Sequence, residues 1–354
     1  MAAPTPQPPT LSIVAPAYNE ERNISAFLAA IVPVLEGIGE TFEIVFVDDG
    51  SRDGTLGLLA AASSQDPRVK VVALARNFGK DIALSAGIAH ATGRAVIPID
   101  CDLQHPPELI PQFVAKWREG FDMVIGVRNK RDEDGRVRRV LTRAYYRVMR
   151  SMTSIDIPPN AGDFRLIDRK IVDVIVKMPE RHRYMKGIFA WPGFKVASIE
   201  FEARPRAHAT ASKWSFFKLW RFALDGLFSF STAPLKLWTY IGAAAALGAF
   251  VYLAITLVQK IFFGIAVPGY ASLLIVVLFV GALLLISNGI QGEYIARIFE
   301  EVKGRPLYIV GKTFGFDQTA QQAAPQPADE PKSPGSPRRE LPKPTKPPPI
   351  PRVQ

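Results

Sequence analysis

Asp100 and Asp102 bracket the only cysteine of the 354-residue chain, in the stretch IPIDCDLQHPPEL that runs from Ile97 to Leu109. The apolar, β-branched run ahead of them predicts a strand. In an extended chain, residues i and i+2 share a face. Both carboxylates are therefore expected to point at one locus, with Cys101 turned away. Two close carboxylates repel unless a cation neutralises them. Hard cations such as Mg²⁺ or Mn²⁺ favour such oxygen ligands and let substrate phosphates complete the shell. Two acids in a turn are the plainer alternative. What favours the cation is the preceding strand, Gln104 and His105 close by, and a second acidic strand end upstream.

That second end is VDDGSRDGT, Val47 to Thr55, where Asp48 and Asp49 close a buried run and Gly50 permits an unusual turn. A carboxylate here suits a base N–H or a ribose hydroxyl; the competing reading is a helix-capping turn, which fits Asp53. The earlier PAYNEE stretch adds Pro16, Tyr18 and Glu20, and ARNFGKDIAL offers Arg76 and Lys80 for phosphate.

These clusters need a scaffold, and the rest of the chain supplies its pattern. LSIVAPAY, FEIVFVDDG, VKVVALA, RAVIPID and FDMVIGV read as strands. ERNISAFLAAIVPVLEGI, SRDGTLGLLAAASSQ and DIALSAGIAHA read as helices, with Ser51 and Asp53 as possible caps of the second. Continuous apolar strands alternating with helices imply an α/β fold, a mostly parallel sheet covered on both faces. Ligands of such sheets bind beyond the carboxyl ends of the strands, and each polar cluster above lies at such an end. The net charge of +10 suits phosphate-bearing partners. A single cysteine excludes an intrachain disulfide framework and a cysteine-based zinc site. Residues 1–10 read as a flexible lead without the features of a signal peptide.

Two later segments are apolar enough to span a bilayer, Leu235–Lys260 and Tyr270–Phe299. The first is uncharged from Leu237 to Gln259 and the second from Tyr270 to Gly292. With only KIFFGIAVPG between them they form an antiparallel hairpin. Lys213, Lys218, Arg221 and Lys236 precede it and Arg297, Lys303, Arg305 and Lys312 follow, so the positive-inside rule puts both flanks in the cytoplasm. Residues 211–234 mix aromatics and cations and read as amphipathic helices lying at the interface. Residues 300–316 read as a post-membrane segment. The tail, 317–354, holds 11 of the 30 prolines and is expected to be disordered.

In their order and spacing, PAYNEE, VDDGSRDGT, ARNFGKDIALSAGI and DCDLQHPPE resemble the GT-A-fold (Rossmann-like), nucleotide-sugar-dependent glycosyltransferases. The likeness is greatest to the polyprenyl-phosphate glycosyltransferases, and it continues through AGDFRLIDRK, RYMKGIFAWPGF, ARPRAHATASKWSFFKL and the hairpin, over residues 10–315. It implies a GT-A domain over 11–210. It implies that Pro16, Tyr18, Glu20, Val47, Asp48 and Asp49 form the nucleoside pocket. Asp100, Asp102 and Gln104 would hold Mg²⁺ or Mn²⁺ and the diphosphate; Cys101 belongs to this stretch, its side chain expected to face away. Arg128, Arg206 and Lys213 resemble ligands of the donor diphosphate or acceptor phosphate. Asp163 and Arg165 fall where the family places residues near the sugar, and Asp102, Asp163 and Arg165 are the catalytic candidates.

The resemblance further implies an inverting transfer, at the inner (cytoplasmic) membrane, of a hexose from a nucleotide sugar to a polyprenyl phosphate such as undecaprenyl phosphate. UDP-glucose is the expected donor; GDP-mannose and UDP-aminosugars are the alternatives. A homo-oligomer is expected and a nucleic-acid partner is not. Arg138, Arg139 and Arg143 are further phosphate candidates, equally readable as a basic helix facing lipid headgroups. Asp163 can serve as a base or orient the sugar, and orientation is favoured. A nicotinamide oxidoreductase would need G-x-G-x-x-G after the first strand, which VAPAYNEER lacks. VGKT at Val310–Thr313 is not a P-loop, because Pro306 stands where the motif needs glycine. A processive polysaccharide synthase would need Q-x-x-R-W and more membrane helices. A membrane-tethered, non-catalytic nucleotide-sugar binder is the reading from another class.

Overall fold

The computed structural model describes residues 8–128, 161–181, 183–202, 232–263 and 269–316. Eight strands form one sheet: β1 (Leu11–Ala17), β2 (Phe42–Asp48), β3 (Val69–Leu74), β4 (Ala95–Pro98), β5 (Met123–Arg128), β6 (Ala161–Asp168), β7 (Val196–Phe201) and β8 (Val310–Phe314). Their order across the sheet is β7-β5-β6-β4-β1-β2-β3-β8. The central block β4-β1-β2-β3 is parallel, as the alternation of strands and helices predicts. The sheet is nevertheless mixed, because β6 runs antiparallel to both its neighbours and β8 antiparallel to β3.

Helices cover both faces. On one side α1 (Ile24–Ile38) buries Phe27, Ile31 and Leu35, and α4 (Ile110–Arg118) buries Phe113 and Val114, against Leu11, Ile13 and Phe46. On the other, α3 (Lys80–His90), α5 (Arg169–Lys177) and α6 (Met185–Ala190) pack on Val14, Val45, Val47 and Ile125. Helix α2 (Thr55–Gln65) adds Leu59 to the first layer. Burying apolar surface on both faces of the β1–β4 block fixes where the strands end, and so where the loops carrying the polar clusters emerge.

Two long apolar helices follow, α7 (Ala233–Phe263) and α8 (Tyr270–Val302), with exposed Leu247, Phe250, Leu253, Phe279 and Leu285 on their surfaces. Their apolar stretches, Leu235–Thr256 and Ile275–Val302, are 22 and 28 residues long, enough for a bilayer core of about 30 Å. Beyond α8 the chain returns to the α/β domain. Arg181 donates its backbone N–H to Glu301 Oε1 (2.7 Å) and its Nε to the Arg305 carbonyl (2.7 Å). Tyr308 packs on the His90 ring, and β8 then pairs with the edge strand β3. The post-membrane segment is thus an integral strand of the sheet, and VGKT is an edge strand. The sheet therefore contains chain from both before and after the hairpin. The amphipathic helices expected over 211–234 fall mostly outside the described residues, as does the proline-rich tail.

Candidate functional site

The loops after β1 and β2 are bonded to each other. Asn19 is held at φ 56 and donates its N–H to Ser51 Oγ (3.0 Å), and its Oδ1 accepts from Arg52 N (2.9 Å). Glu20 N donates to Thr55 Oγ1 (2.9 Å), and Gly54 N to Glu21 Oε2 (3.1 Å). Ser51 therefore braces the neighbouring loop and does not cap α2, whereas Asp53 does accept from Thr55 N (3.1 Å). These bonds fix the rim in which Tyr18, 42% exposed, and Pro16 stand.

Three of the residues assigned to a nucleoside pocket are buried, and their side chains have structural work there. Val47 lies in the core layer under α3. Asp48 accepts weakly from Ser51 N at 3.3 Å. Asp49 accepts from Phe78 N (2.7 Å) and Gly79 N (3.0 Å), so both its oxygens serve the loop that enters α3. Burial raises both carboxyls above their ordinary value, against the pull of these amide bonds. The sequence offered no sign that an acid closing β2 would be spent on a loop 29 residues later.

That loop ends in Lys80, the first residue of α3, and Lys80 is the centre of the site. Its Nζ lies 2.7 Å and 2.8 Å from the two oxygens of Asp100 and 3.0 Å from Asp163 Oδ2. Burial works against the ammonium, but the two carboxylates outweigh it and hold its pKa above the ordinary lysine value. Asp163 is likewise buried, yet Lys80 and Arg165 keep its carboxyl below the ordinary range, so it is ionised at neutral pH. His105 lies 3.9 Å from Asp100, its ring stacked on Phe164 at 5.1 Å; burial lowers its pKa, so the imidazole is neutral. Lys80 is therefore the cation that balances Asp100.

The acidic pair does not sit in an extended strand. β4 stops at Pro98, and residues 101–103 form a turn with Leu103 at φ 56. The face-sharing rule for strands does not apply here, and the two carboxylates take different partners. Asp100 meets Lys80; Asp102 Oδ1 accepts from Gln104 N at 3.1 Å, a local Asx turn. Cys101 is turned inward as expected, its thiol buried beside the Pro16 carbonyl at 3.6 Å. Among the described residues no three His, Cys, Asp or Glu side chains converge into a metal cage.

Asp163 and Arg165 are on β6, where alternation puts both on the face of α3 and α6. Asp163 reaches the site, whereas Arg165 is 2% exposed and lies beneath it. Its guanidinium sits 4.2 Å from the centre of the Phe189 ring and donates to the Gly162 carbonyl. Burial lowers its pKa to about 10, with Asp163 pulling the other way. It supports Asp163 from below. Two neighbours were not singled out from sequence. Asp81 accepts from the Met185 backbone, and its carboxyl is pushed up to about 6, first by burial and then by Asp163. Lys186 of α6 is close enough for its charge to interact with Asp163 and Asp81. An acid in the first turn of α3 reads as a helix-end charge, and a lysine in a short helix carries no signal. Arg128 ends β5, while Arg206, Lys213, Arg138, Arg139 and Arg143 lie outside the described residues.

Comparison with known proteins places this geometry. Residues 12–176 match the model of glycosyl transferase family 2, and residues 233–298 match the GtrB C-terminal hairpin. An uncharacterized glycosyltransferase of Synechocystis is 50% identical over 307 residues, 87% of this chain and 96% of its own. The prophage bactoprenol glucosyl transferase homolog of Escherichia coli K12 is 44% identical over 300 residues, 85% of this chain and 98% of its own. The prophage-derived bactoprenol glucosyl transferase of Shigella flexneri is 44% identical over 303 residues, 86% and 98%. Among solved structures, the Mn²⁺ and UDP-glucose complex of glucosyl-3-phosphoglycerate synthase from Mycobacterium tuberculosis aligns with a TM-score of 0.43 at 22% identity, over 62% of this chain and 78% of that one. With relatives this similar along nearly their whole length, in the catalytic domain and hairpin alike, the chain belongs to glycosyl transferase family 2 and is a hairpin-anchored glycosyltransferase.

Proposed function

We propose that this enzyme transfers glucose from UDP-glucose to undecaprenyl phosphate with inversion, on the cytoplasmic face of the membrane. The carrying observation is the 44% identity to bactoprenol glucosyl transferases along 98% of their length, hairpin included. The acceptor's chemistry agrees with the site. A phosphate monoester with a second pKa near 6 is largely dianionic at neutral pH and needs no general base. One of its oxygens attacks the anomeric carbon as the bond to the β-phosphate oxygen breaks, and UDP leaves from the opposite face. The protein's contribution is positioning and charge balance. Asp163, ionised and braced by Arg165, orients the sugar hydroxyls. Pro16, Tyr18 and Glu20 line the nucleoside side, and the basic residues Arg128, Arg206 and Lys213 take phosphates.

The site residues fit Mg²⁺ or Mn²⁺. Asp100 and Asp102 are hard oxygen donors, and Asp100 already gathers a cation, the Lys80 ammonium, together with Asp163. Asp100, Asp102 and Gln104 would hold the metal. Once bound, it would neutralise charge on the leaving diphosphate. The basic residues flanking the hairpin favour a cytoplasmic placement of both flanks, and self-association into a homo-oligomer completes the proposal. The test is to incubate membranes containing the enzyme with undecaprenyl phosphate and labelled UDP-glucose, GDP-mannose and UDP-aminosugars. Label from UDP-glucose alone should enter lipid, and Asp102→Asn should abolish it in a folded protein. Transfer from a different donor, or full activity of the variant, overturns the assignment.

A further inference from the structure

We infer that Lys80 is the resting occupant of the cation position, and that an arriving divalent ion drives its ammonium off Asp100 and Asp163 and onto the donor diphosphate. This rests on the metal reading above and extends it. The ammonium contacts both oxygens of Asp100 at 2.7 and 2.8 Å and bridges to Asp163 at 3.0 Å. Mg²⁺ ligated by Asp100 needs an oxygen at about 2.0–2.1 Å, so at the position the ammonium now holds it competes for the same oxygens and repels that charge. A metal that takes Asp100 through both oxygens, where the ammonium now sits, must displace it.

The structure lets one part move and holds the other. Asp49 ties down the backbone N–H groups of Phe78 and Gly79, so the start of α3 is fixed. The Lys80 side chain is about half exposed (47%), on a flexible four-carbon stem. Its charge is therefore free to transfer while its Cα stays put. In the resting state it spares Asp100 and Asp163 from facing each other as bare carboxylates. Once metal and donor arrive together, the same charge meets the diphosphate that the metal only partly neutralises. Metal and donor binding are thereby coupled: the metal alone must displace Lys80, whereas donor diphosphate offers Lys80 a new partner.

The experiment reads Lys80 directly. Detergent-solubilised wild-type protein is pulse-acetylated and Lys80 modification is followed by mass spectrometry, with Lys116, ion-paired to Glu119 on the surface, as the internal control. Mn²⁺ binding is followed separately from the loss of the free-ion electron paramagnetic resonance signal. Mn²⁺ alone should raise Lys80 acetylation at least about threefold without changing Lys116, and Mn²⁺ with UDP should bring it back down. In Lys80→Met, Mn²⁺ alone should bind about tenfold more tightly, about 1.4 kcal/mol, while Mn²⁺-dependent UDP binding weakens. Mn²⁺ binding with unchanged Lys80 acetylation overturns the inference and leaves the metal reading standing, as does equal or weaker Mn²⁺ binding by the variant. No Mn²⁺ binding with or without UDP overturns both. Should the variant not fold, the wild-type acetylation result decides.

Discussion

Replacing Gly50 by alanine tests whether the turn between β2 and α2 is the keystone of the donor site. Gly50 sits at φ 68, and an added Cβ would lie 2.5 Å from the Arg76 carbonyl carbon, 2.6 Å from Asn77 N and 2.9 Å from Arg76 Cα. All three are backbone atoms, so no side chain can swing aside. A left-handed conformation costs an L-residue about 1–2 kcal/mol, and overpacking adds about 1–3 kcal/mol. The sum is about 2–5 kcal/mol. Gly39, which ends α1 at φ 74 with nothing within 4 Å of its would-be Cβ, isolates the first contribution. In a domain of this size 1 kcal/mol moves the unfolding midpoint by about 2–4 °C. Gly50→Ala should therefore lower Tm by about 4–20 °C, and Gly39→Ala by about 2–8 °C, in scanning fluorimetry of the solubilised enzyme. The clash also pushes the Arg76–Gly79 loop away from Asp49, so Gly50→Ala should weaken Mn²⁺-dependent UDP binding in titration calorimetry, and Gly39→Ala should not. Equal Tm losses in the two variants, or wild-type UDP affinity in Gly50→Ala, would refute the reasoning.

Two further substitutions probe parts far from the chemistry. Glu43 is buried at the opposite end of β2, where it accepts from Ser12 Oγ (2.5 Å), Thr92 N (2.6 Å) and Lys70 Nζ (2.6 Å). Burial alone would raise its carboxyl, but these bonds win and lower it. A lowered carboxyl stabilises the fold above its ordinary value of 4.5, and the contribution fades as pH falls through the folded value. Glu43→Gln should cost about 1.5–3 kcal/mol at pH 7, and the gap to wild type in unfolding experiments should narrow in acid; a gap independent of pH contradicts this. Arg181→Ala removes the side-chain bonds to Glu301 and Arg305. It should speed amide exchange across Val310–Phe314 at least several-fold and leave α1 unchanged, and unaltered exchange in β8 shows that the clasp does not hold the strand.

Much of the architecture was legible in the sequence because it follows from local periodicity. Buried parallel strands read as continuous apolar runs, and strand ends declare themselves through Asp48, Asp49, Asp100 and Asp102. Two uncharged stretches long enough for a bilayer need no tertiary context either. The ordered motifs identified the family for the same reason, since each is a short, contiguous stretch.

Contacts between distant residues were not legible. β8 is separated from its partner β3 by the whole hairpin, and VGKT gives no sign that it will complete the sheet edge. Asp49 looked like a ligand-facing acid, yet the close approach of the Phe78–Gly79 loop makes it a clamp. Asp100 and Asp102 looked like one pair, but β4 ends at Pro98 and the turn over 101–103 sends them to different partners. Whether a carboxylate faces a metal, an amide or a lysine depends on which loop the folded sheet brings within about 3 Å of it. The sequence by itself determined five of the eight strands, the hairpin, the family and the residues that carry charge. The tertiary structure alone decided that Lys80 links Asp100 to Asp163, because that contact joins the start of α3, the segment after β4 and strand β6, which only the packed sheet brings together.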